Sequence, residues 1–511
     1  MASPRPTKPS PSKRAAERAS KPPGVWTRTA GLGGRLRFQV STDPPAPATR
    51  DLRVKTRDAA ILGLALLACQ PQNNPAASAN GPSTPGGAAG PSAPAAASTP
   101  EASRLAEHRT LALSDPGPPD RIDARLKEFS DAARALPKKP ESWVLLGQAW
   151  VLKARQSGDS GYYLNAKACA ELAFALAPDF QLAQHLQLLV LQNEHSFEAA
   201  RTLALRLTSS NPGDFMAQGA LSDAELELGH IPEAEAAAQR MMDLKPSLPA
   251  YARLAHLRFV AGDINGAKEA FRLAFDAGRG APDPEPAAWT LVQAATLFWH
   301  VGDYEGTKAG LDFVATSFPS LGAYAPALQL EGRLALSMGQ TTSAITALTR
   351  SMVVTPSAET AWLLADAHLA AGDGVLAKAA ELEVLRLGRQ TDARTLSLFL
   401  AHRDRDHDEA LRAAEQDRKH RGGVYADDAL AFALYRAGRA AEALPLVRAM
   451  VATGTPDARL LFHAGLVLRA AGLTPNEKRE GDDLIRRALK QNPNFDAASV
   501  AEAGRLLSGP R

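Results

Sequence analysis

Cysteine is nearly absent: the chain of 511 residues has two, Cys69 and Cys169. One pair cannot make a disulfide framework, so packing must stabilise the fold. Aromatic residues are scarce at 6%, although hydrophobic residues reach 45%, dominated by Ala and Leu. Small aliphatic side chains in that proportion pack helix against helix and argue against a β-rich fold. Catalytic signatures are missing too. There is no His-Glu-x-x-His, no Gly-x-x-x-x-Gly-Lys loop after a strand and no nucleophile elbow. Gly31-Leu-Gly-Gly34 is Gly-rich but has no strand or helix around it. No catalytic residue, cofactor or metal site is therefore assigned, and the chain reads as non-enzymatic.

Charge is unevenly spread. Of 58 Lys/Arg and 55 Asp/Glu, 13 and 4 respectively lie in residues 1–69. The remainder is mildly acidic, and no basic run interleaved with aromatics follows residue 104, which argues against a nucleic-acid partner.

Residues 1–53 are rich in Pro, Arg and Ser without apolar periodicity, and read as a disordered or untranslated leader. Next come Arg53-Val-Lys-Thr-Arg57, an apolar run from Ala59 to Ala68, and Cys69. As a helix that run covers about 15 Å, roughly half a bilayer core, so it cannot span a membrane. A charged segment, a short apolar segment and small residues before a cysteine resemble a bacterial lipoprotein signal peptide over residues 54–68. Leu66, Leu67 and Ala68 match its lipobox, and translation is expected to begin at or near Val54. The resemblance implies lipidation of Cys69. Gln70 in place of Asp implies, by the same resemblance, the outer membrane. Residues 69–103 hold mostly Pro, Ala, Ser, Gly, Asn and Thr. They read as a disordered tether, whose random-coil reach is roughly 30–35 Å.

From residue 104 to 511 the chain repeats. Pro178, Pro212 and Pro246 recur every 34 residues, each placed to stop a helix, and a small residue precedes each by twelve: Ala166, Ala200 and Ala234. Gly229, Gly262, Gly302, Gly339, Gly372, Gly438 and Gly472 fall where a first helix should end in a left-handed cap. Trp143, Leu146, Gly147 and Trp150 open the first clear unit. These features resemble the tetratricopeptide repeat (TPR) family. The resemblance implies an all-α fold, an α-solenoid forming a right-handed superhelix of about ten helical hairpins. Residues 121–136 read as a capping helix. The eighth unit, near Ala393–His420, lacks the Gly turn and terminating Pro, so a bend or break is expected near 390–424.

Stacked hairpins bury their apolar faces against neighbours and leave a concave groove. By family register, groove-facing residues are Gln148, His256, Thr296, Trp299, Asp366 and Tyr435, with packing between repeats as the competing role for Trp299 and Tyr435. The implied ligand is a protein or peptide. His402-Arg-Asp404-Arg-Asp406-His407-Asp408 carries metal-ligand side chains, but interleaved arginines favour a solvated loop. Cys169 lies among alanines as an inert thiol. The leading functional reading is a scaffold lipid-anchored in the bacterial cell envelope. The alternative is a soluble cytoplasmic adaptor or the regulatory subunit of a separate enzyme.

Overall fold

The computed structural model describes residues 100–117, 122–157, 159, 161–472 and 474–508. The leader, the Leu66-Leu67-Ala68 box, Cys69 and the tether as far as residue 99 lie outside them. The described residues contain 23 α-helices, one 3-10 turn and no strand. Helices α1 (Pro100–Ala112) and α2 (Asp123–Ala135) come first. Five hairpins follow: α3 (Pro140–Ser157) with α4 (Tyr162–Leu176), α5 (Gln181–Asn193) with α6 (Phe197–Ser210), α7 (Phe215–Glu227) with α8 (Ile231–Leu244), α9 (Leu248–Val260) with α10 (Ile264–Gly278), and α11 (Glu285–His300) with α12 (Tyr304–Ser317). Five more are α13 (Ala325–Ser337) with α14 (Thr341–Val354), α15 (Ala358–Ala370) with α16 (Gly374–Thr391), α17 (Ala393–His402) with α18 (His407–Arg418), α19 (Gly423–Arg436) with α20 (Ala440–Thr453), and α21 (Ala458–Ala471) with α22 (Pro475–Gln491). Helix α23 (Ala497–Ser508) comes last.

Helix α1 begins inside the stretch that composition assigns to the tether. Three long-range bonds hold its C-terminal end to the first hairpin: Trp150 Nε1 donates to Ala112 O at 2.9 Å, Asn165 Nδ2 to Leu111 O at 2.7 Å, and Tyr162 Oη to Pro116 O at 2.6 Å. The expected capping helix is α2, tied to α3 by an ion pair of 2.9 Å between buried Lys153 and Asp123.

Within a hairpin two adjacent residues make the turn. Gly262 takes φ +81, and Asp263 N–H reaches back to Arg258 O at 2.8 Å, which closes the end of α9. Asp263 then caps α10 by accepting from Gly266 N–H at 2.9 Å. Gly302-Asp303 and Gly372-Asp373 repeat the device. Six of the seven turn glycines have positive φ; Gly472 does not, at φ −58, because the chain leaves α21 extended and enters α22 through a Thr474–Glu477 capping box. Ala166, Ala200 and Ala234 are fully buried at the helix crossings.

The eighth hairpin turns without glycine. Asp404 and Asp406 take φ 50 there, a conformation Asp tolerates better than most residues, and Phe399, Leu400 and Ala401 are fully buried. Arg389 on α16 pairs with Glu409 on α18 at 2.7 Å. Helices α16 to α19 thus stack without interruption through the region where a bend or break was expected.

The solenoid also touches itself across a full turn. Gly422 N–H donates to Glu227 O at 2.6 Å, Thr455 Oγ1 to Val260 O at 2.7 Å, and Asn492 Nδ2 to Trp299 O at 2.8 Å. Each bond joins the turn of one hairpin to the loop that ends the fifth hairpin after it. Three successive hairpins, the third to the fifth, are docked in this way.

Candidate functional site

Closure converts the concave groove into a chamber of about 480 Å³. First helices make most of its wall: α9, α11, α13, α15, α17, α19 and α21 all contribute, and Arg155 of α3 enters from the N-terminal repeats. The wall mixes aromatic, aliphatic and charged side chains.

The chamber's carboxylates are engaged by neighbours. Glu285 accepts from Tyr324 Oη at 2.8 Å and pairs with Arg155 at 3.1 Å. Glu359 pairs with Arg333, whose guanidinium also lies 5.0 Å over the Trp299 ring. Burial alone would raise the Glu359 carboxyl, but Arg333 and Arg459 hold it below its ordinary value. Asp457 caps α21 by accepting from Arg459 N–H at 2.9 Å and lies 3.4 Å from His300. Its burial is likewise outweighed, by His300 and Arg459, and the carboxyl is lowered. Asp428 bonds His463 Nδ1 at 2.8 Å. Burial, with help from His300, lowers His256 to about 4, so its imidazole is neutral near pH 7.

Two of the six residues expected in the groove line this chamber, His256 and Thr296. The Thr296 hydroxyl bonds Val292 O in its own helix at 2.8 Å. The other four are absent from the chamber wall. Trp299 is 5% exposed and donates from Nε1 to Ser337 Oγ at 3.0 Å, which is packing between repeats. Asp366 is bound by Arg403 at 2.6 Å, and its burial raises the carboxyl to about 6 despite that partner. Tyr435 stacks on Phe432 with Arg436 over its ring. Gln148 is half-buried on α3.

Register by family position missed Trp289, Arg333, Glu359, Trp362, Tyr425 and Arg459. The reason is where each helix meets the chamber. On α9 it is the C-terminal half (His256, Phe259), on α11 the whole length from Glu285 to His300, and on α15, α19 and α21 the N-terminal half (Glu359, Tyr425, Arg459). One fixed position per repeat cannot describe a wall that closes. The i, i+4 pair Gln329 and Arg333, two polar residues on one face of α13, was the available signal.

The polar cluster beginning at His402 splits apart. His402 turns inward, its ring 5.0 Å from Trp362 and Phe432 and its Nε2 3.2 Å from His463 Nε2, whereas His407 turns to Asp404 at 3.1 Å. Among the described residues no group of three or more His, Cys, Asp or Glu could hold a metal ion. Cys169 is fully buried, and burial pushes its thiol well above the ordinary range. No described helix is long and apolar enough to cross a membrane.

A sequence model of the tetratricopeptide repeat matches residues 187–249 and 330–392. No curated protein matches the chain. Similar solved structures include the following three. A tetratricopeptide repeat protein from Parabacteroides merdae ATCC 43184 has 14% identity over 50% of this chain and 98% of its own, with a TM-score of 0.36. The APC/C hetero-tetramer Cut9-Hcn1 has 14% identity over 75% of this chain and 82% of the other, with a TM-score of 0.36. The human IFIT1 dimer with m7Gppp-AAAA has 13% identity over 72% and 86%, with a TM-score of 0.42. Residues 187–249 and 330–392 are thus tetratricopeptide repeats, set within a solenoid whose described residues are all-α and form ten hairpins.

Proposed function

We propose that this chain is a non-enzymatic scaffold that binds partner proteins and that lipid on Cys69 holds it in a bacterial cell envelope, at the outer membrane. Tetratricopeptide repeats are in general protein-interaction modules, which supports the first half. The lipobox-like Leu66-Leu67-Ala68-Cys69 and the apolar run before it support the second.

The concave groove that the resemblance implies as the docking surface is here a chamber of about 480 Å³, a volume suited to a small ligand. A folded partner is therefore met on the outer face. The observation that carries this reading lies in the second matched segment. On α14 the outer stripe Thr342, Thr346, Thr349 and Val353 is exposed and uncharged, and on α16 Val375, Ala379 and Leu382 form another. Val353 is 81% exposed, Val375 82% and Leu382 56%. Leaving large apolar side chains in water on adjacent repeats is unfavourable unless something covers them.

Two measurements test the two halves separately. Fatty-acid labelling of the native protein should vanish in Cys69→Ala, and label that survives the substitution overturns the anchor. Cross-linking in intact cells should give defined partner bands that disappear in the double variant V375E/L382E. Bands unchanged by that variant overturn the outer-face reading.

A further inference from the structure

The chamber has hydrogen-bonding capacity that the protein does not use. Trp289 of α11 and Trp362 of α15 both line it and are 8% and 7% exposed. Neither indole N–H has an acceptor in the protein, and the Nε–H of Arg459, also on the wall, has none. A buried donor left unpaired is costly, so the same unmet need at three donors around one cavity calls for a ligand.

On the acceptor side Glu285 Oε2 and His300 Nδ1 lack a hydrogen bond, but Arg155 pairs with the first at 3.1 Å and Asp457 lies 3.4 Å from the second. Glu285, Glu359, Asp428 and Asp457 are each held by a tyrosine, arginine, histidine or backbone partner. Donors in excess select a molecule that brings acceptors. Fixed charge narrows the class further. Arg155, Arg333, Arg394 and Arg459 face Glu285, Glu359, Asp392, Asp428 and Asp457 across the wall, so the cations are already matched and a net anion gains little. The remaining wall mixes apolar side chains, among them Phe259, Val292, Leu297, Leu330 and Leu398, with uncharged polar ones such as Gln293, Thr296 and Gln329. The volume of about 480 Å³ lies in the range of sites for small organic ligands.

We propose that the lumen of the solenoid is a binding site for a small, uncharged, carbonyl-bearing molecule, its carbonyl oxygen accepting from an N–H left open at Trp289, Trp362 or Arg459. The site is independent of partner docking on the outer face and of the lipid anchor. It needs the closed form, because Arg155, Asp457 and Arg459 share one wall with α11 only when the turns of the superhelix meet.

The probe is prodan, a neutral naphthalene ketone whose emission shifts to the blue in apolar surroundings, titrated into the purified full chain. One site per chain is expected. At least one of W289F and W362F, which keep the ring but remove the donor, should weaken binding about fivefold, the equivalent of one neutral hydrogen bond. The carbonyl-free parent, dimethylaminonaphthalene, should bind more weakly and be indifferent to both substitutions. Q293W, which fills the chamber from α11, should abolish binding. Circular dichroism melts of every variant establish that each is folded; should Q293W fail to fold, the two Trp→Phe variants carry the test alone. The proposal is overturned if prodan does not bind, if it binds equally to wild type, W289F and W362F, or if the anion anilinonaphthalene sulfonate binds in the chamber more tightly than prodan.

Discussion

His402 stands in a place that disfavours its own protonation. Its ring packs between Trp362, Phe432 and His463, and burial followed by the neighbouring His463, Arg459, Arg436 and Arg403 pushes it well below its ordinary value of 6.5. The unfolded chain therefore takes up a proton below pH 6.5 that the native chain refuses. Stability from this group is fully present above pH 6.5 and is lost as pH falls, by up to about 1.4 kcal/mol per unit for one residue. His256, lowered to about 4 by burial, acts in the same direction between pH 6.5 and about 4. Asp366, raised to about 6, acts in the opposite one, so the total slope mixes signs. The comparison that isolates His402 is with His402→Gln, which keeps a polar group toward His463. Wild type should lose melting temperature more steeply than the variant between pH 7.5 and 5; parallel slopes would show that the imidazole does not titrate as its surroundings require. Nothing in the sequence pointed here. A His within a run of Asp and Arg reads as surface, and only the turn geometry at Asp404 and Asp406 reveals that His402 belongs to the helix and its neighbours to the loop.

Turns between helices look alike in sequence but have unequal tolerance. Gly262 and Gly372 share nearly the same φ, +81 and +77, and each is followed by an Asp that caps the next helix. A Cβ on Gly372 would meet nothing within 4 Å, whereas one on Gly262 would lie 2.7 Å from Gly454 O in the next superhelical turn. Both substitutions to Ala incur the left-handed penalty of about 1–2 kcal/mol. Gly262→Ala must also displace backbone. Thermal melts should therefore show a modest loss for Gly372→Ala and a loss at least twice as large for Gly262→Ala; equal losses would mean that the contact between turns is not made in solution. The hairpins themselves were readable, since the prolines, the buried alanines and the glycine turns each follow from local chain geometry and recur at one period. The distinction between Gly262 and Gly372 was not readable, because it depends on residues nearly 200 positions away. Helix α1 escaped notice for a related reason. Its sequence is polar, and it owes its order to Trp150, Asn165 and Tyr162 of the first hairpin rather than to its own pattern.

At the scale of the molecule, closure changes how stability is distributed. An open solenoid is nearly one-dimensional, since each repeat meets only its neighbours and a local defect is felt locally. Here Asn492 bonds Trp299 O through Nδ2 at 2.8 Å and accepts from Tyr304 Oη at 2.5 Å, while Gln491 reaches His300 O at 3.4 Å. Loop closure over such a span costs entropy only logarithmically in its length, so a few good bonds suffice to hold it. Asn492→Ala leaves the Trp299 carbonyl and the Tyr304 hydroxyl without that partner, and should cost about 1–3 kcal/mol. What distinguishes a closed solenoid is where the loss appears. Native-state hydrogen exchange should speed up at residues 298–304, on the hairpin that receives Asn492, as well as around 491–494, while hairpins between them, such as α15 with α16, keep their protection. Gly438→Ala, at a turn with open space beyond its Cβ, serves as the local control and should affect only its own hairpin and the two beside it. Exchange that rises only near residue 492 would mean an open spiral. Because the chamber wall exists only in the closed form, prodan binding in Asn492→Ala should weaken in step with the loss of protection at residues 298–304.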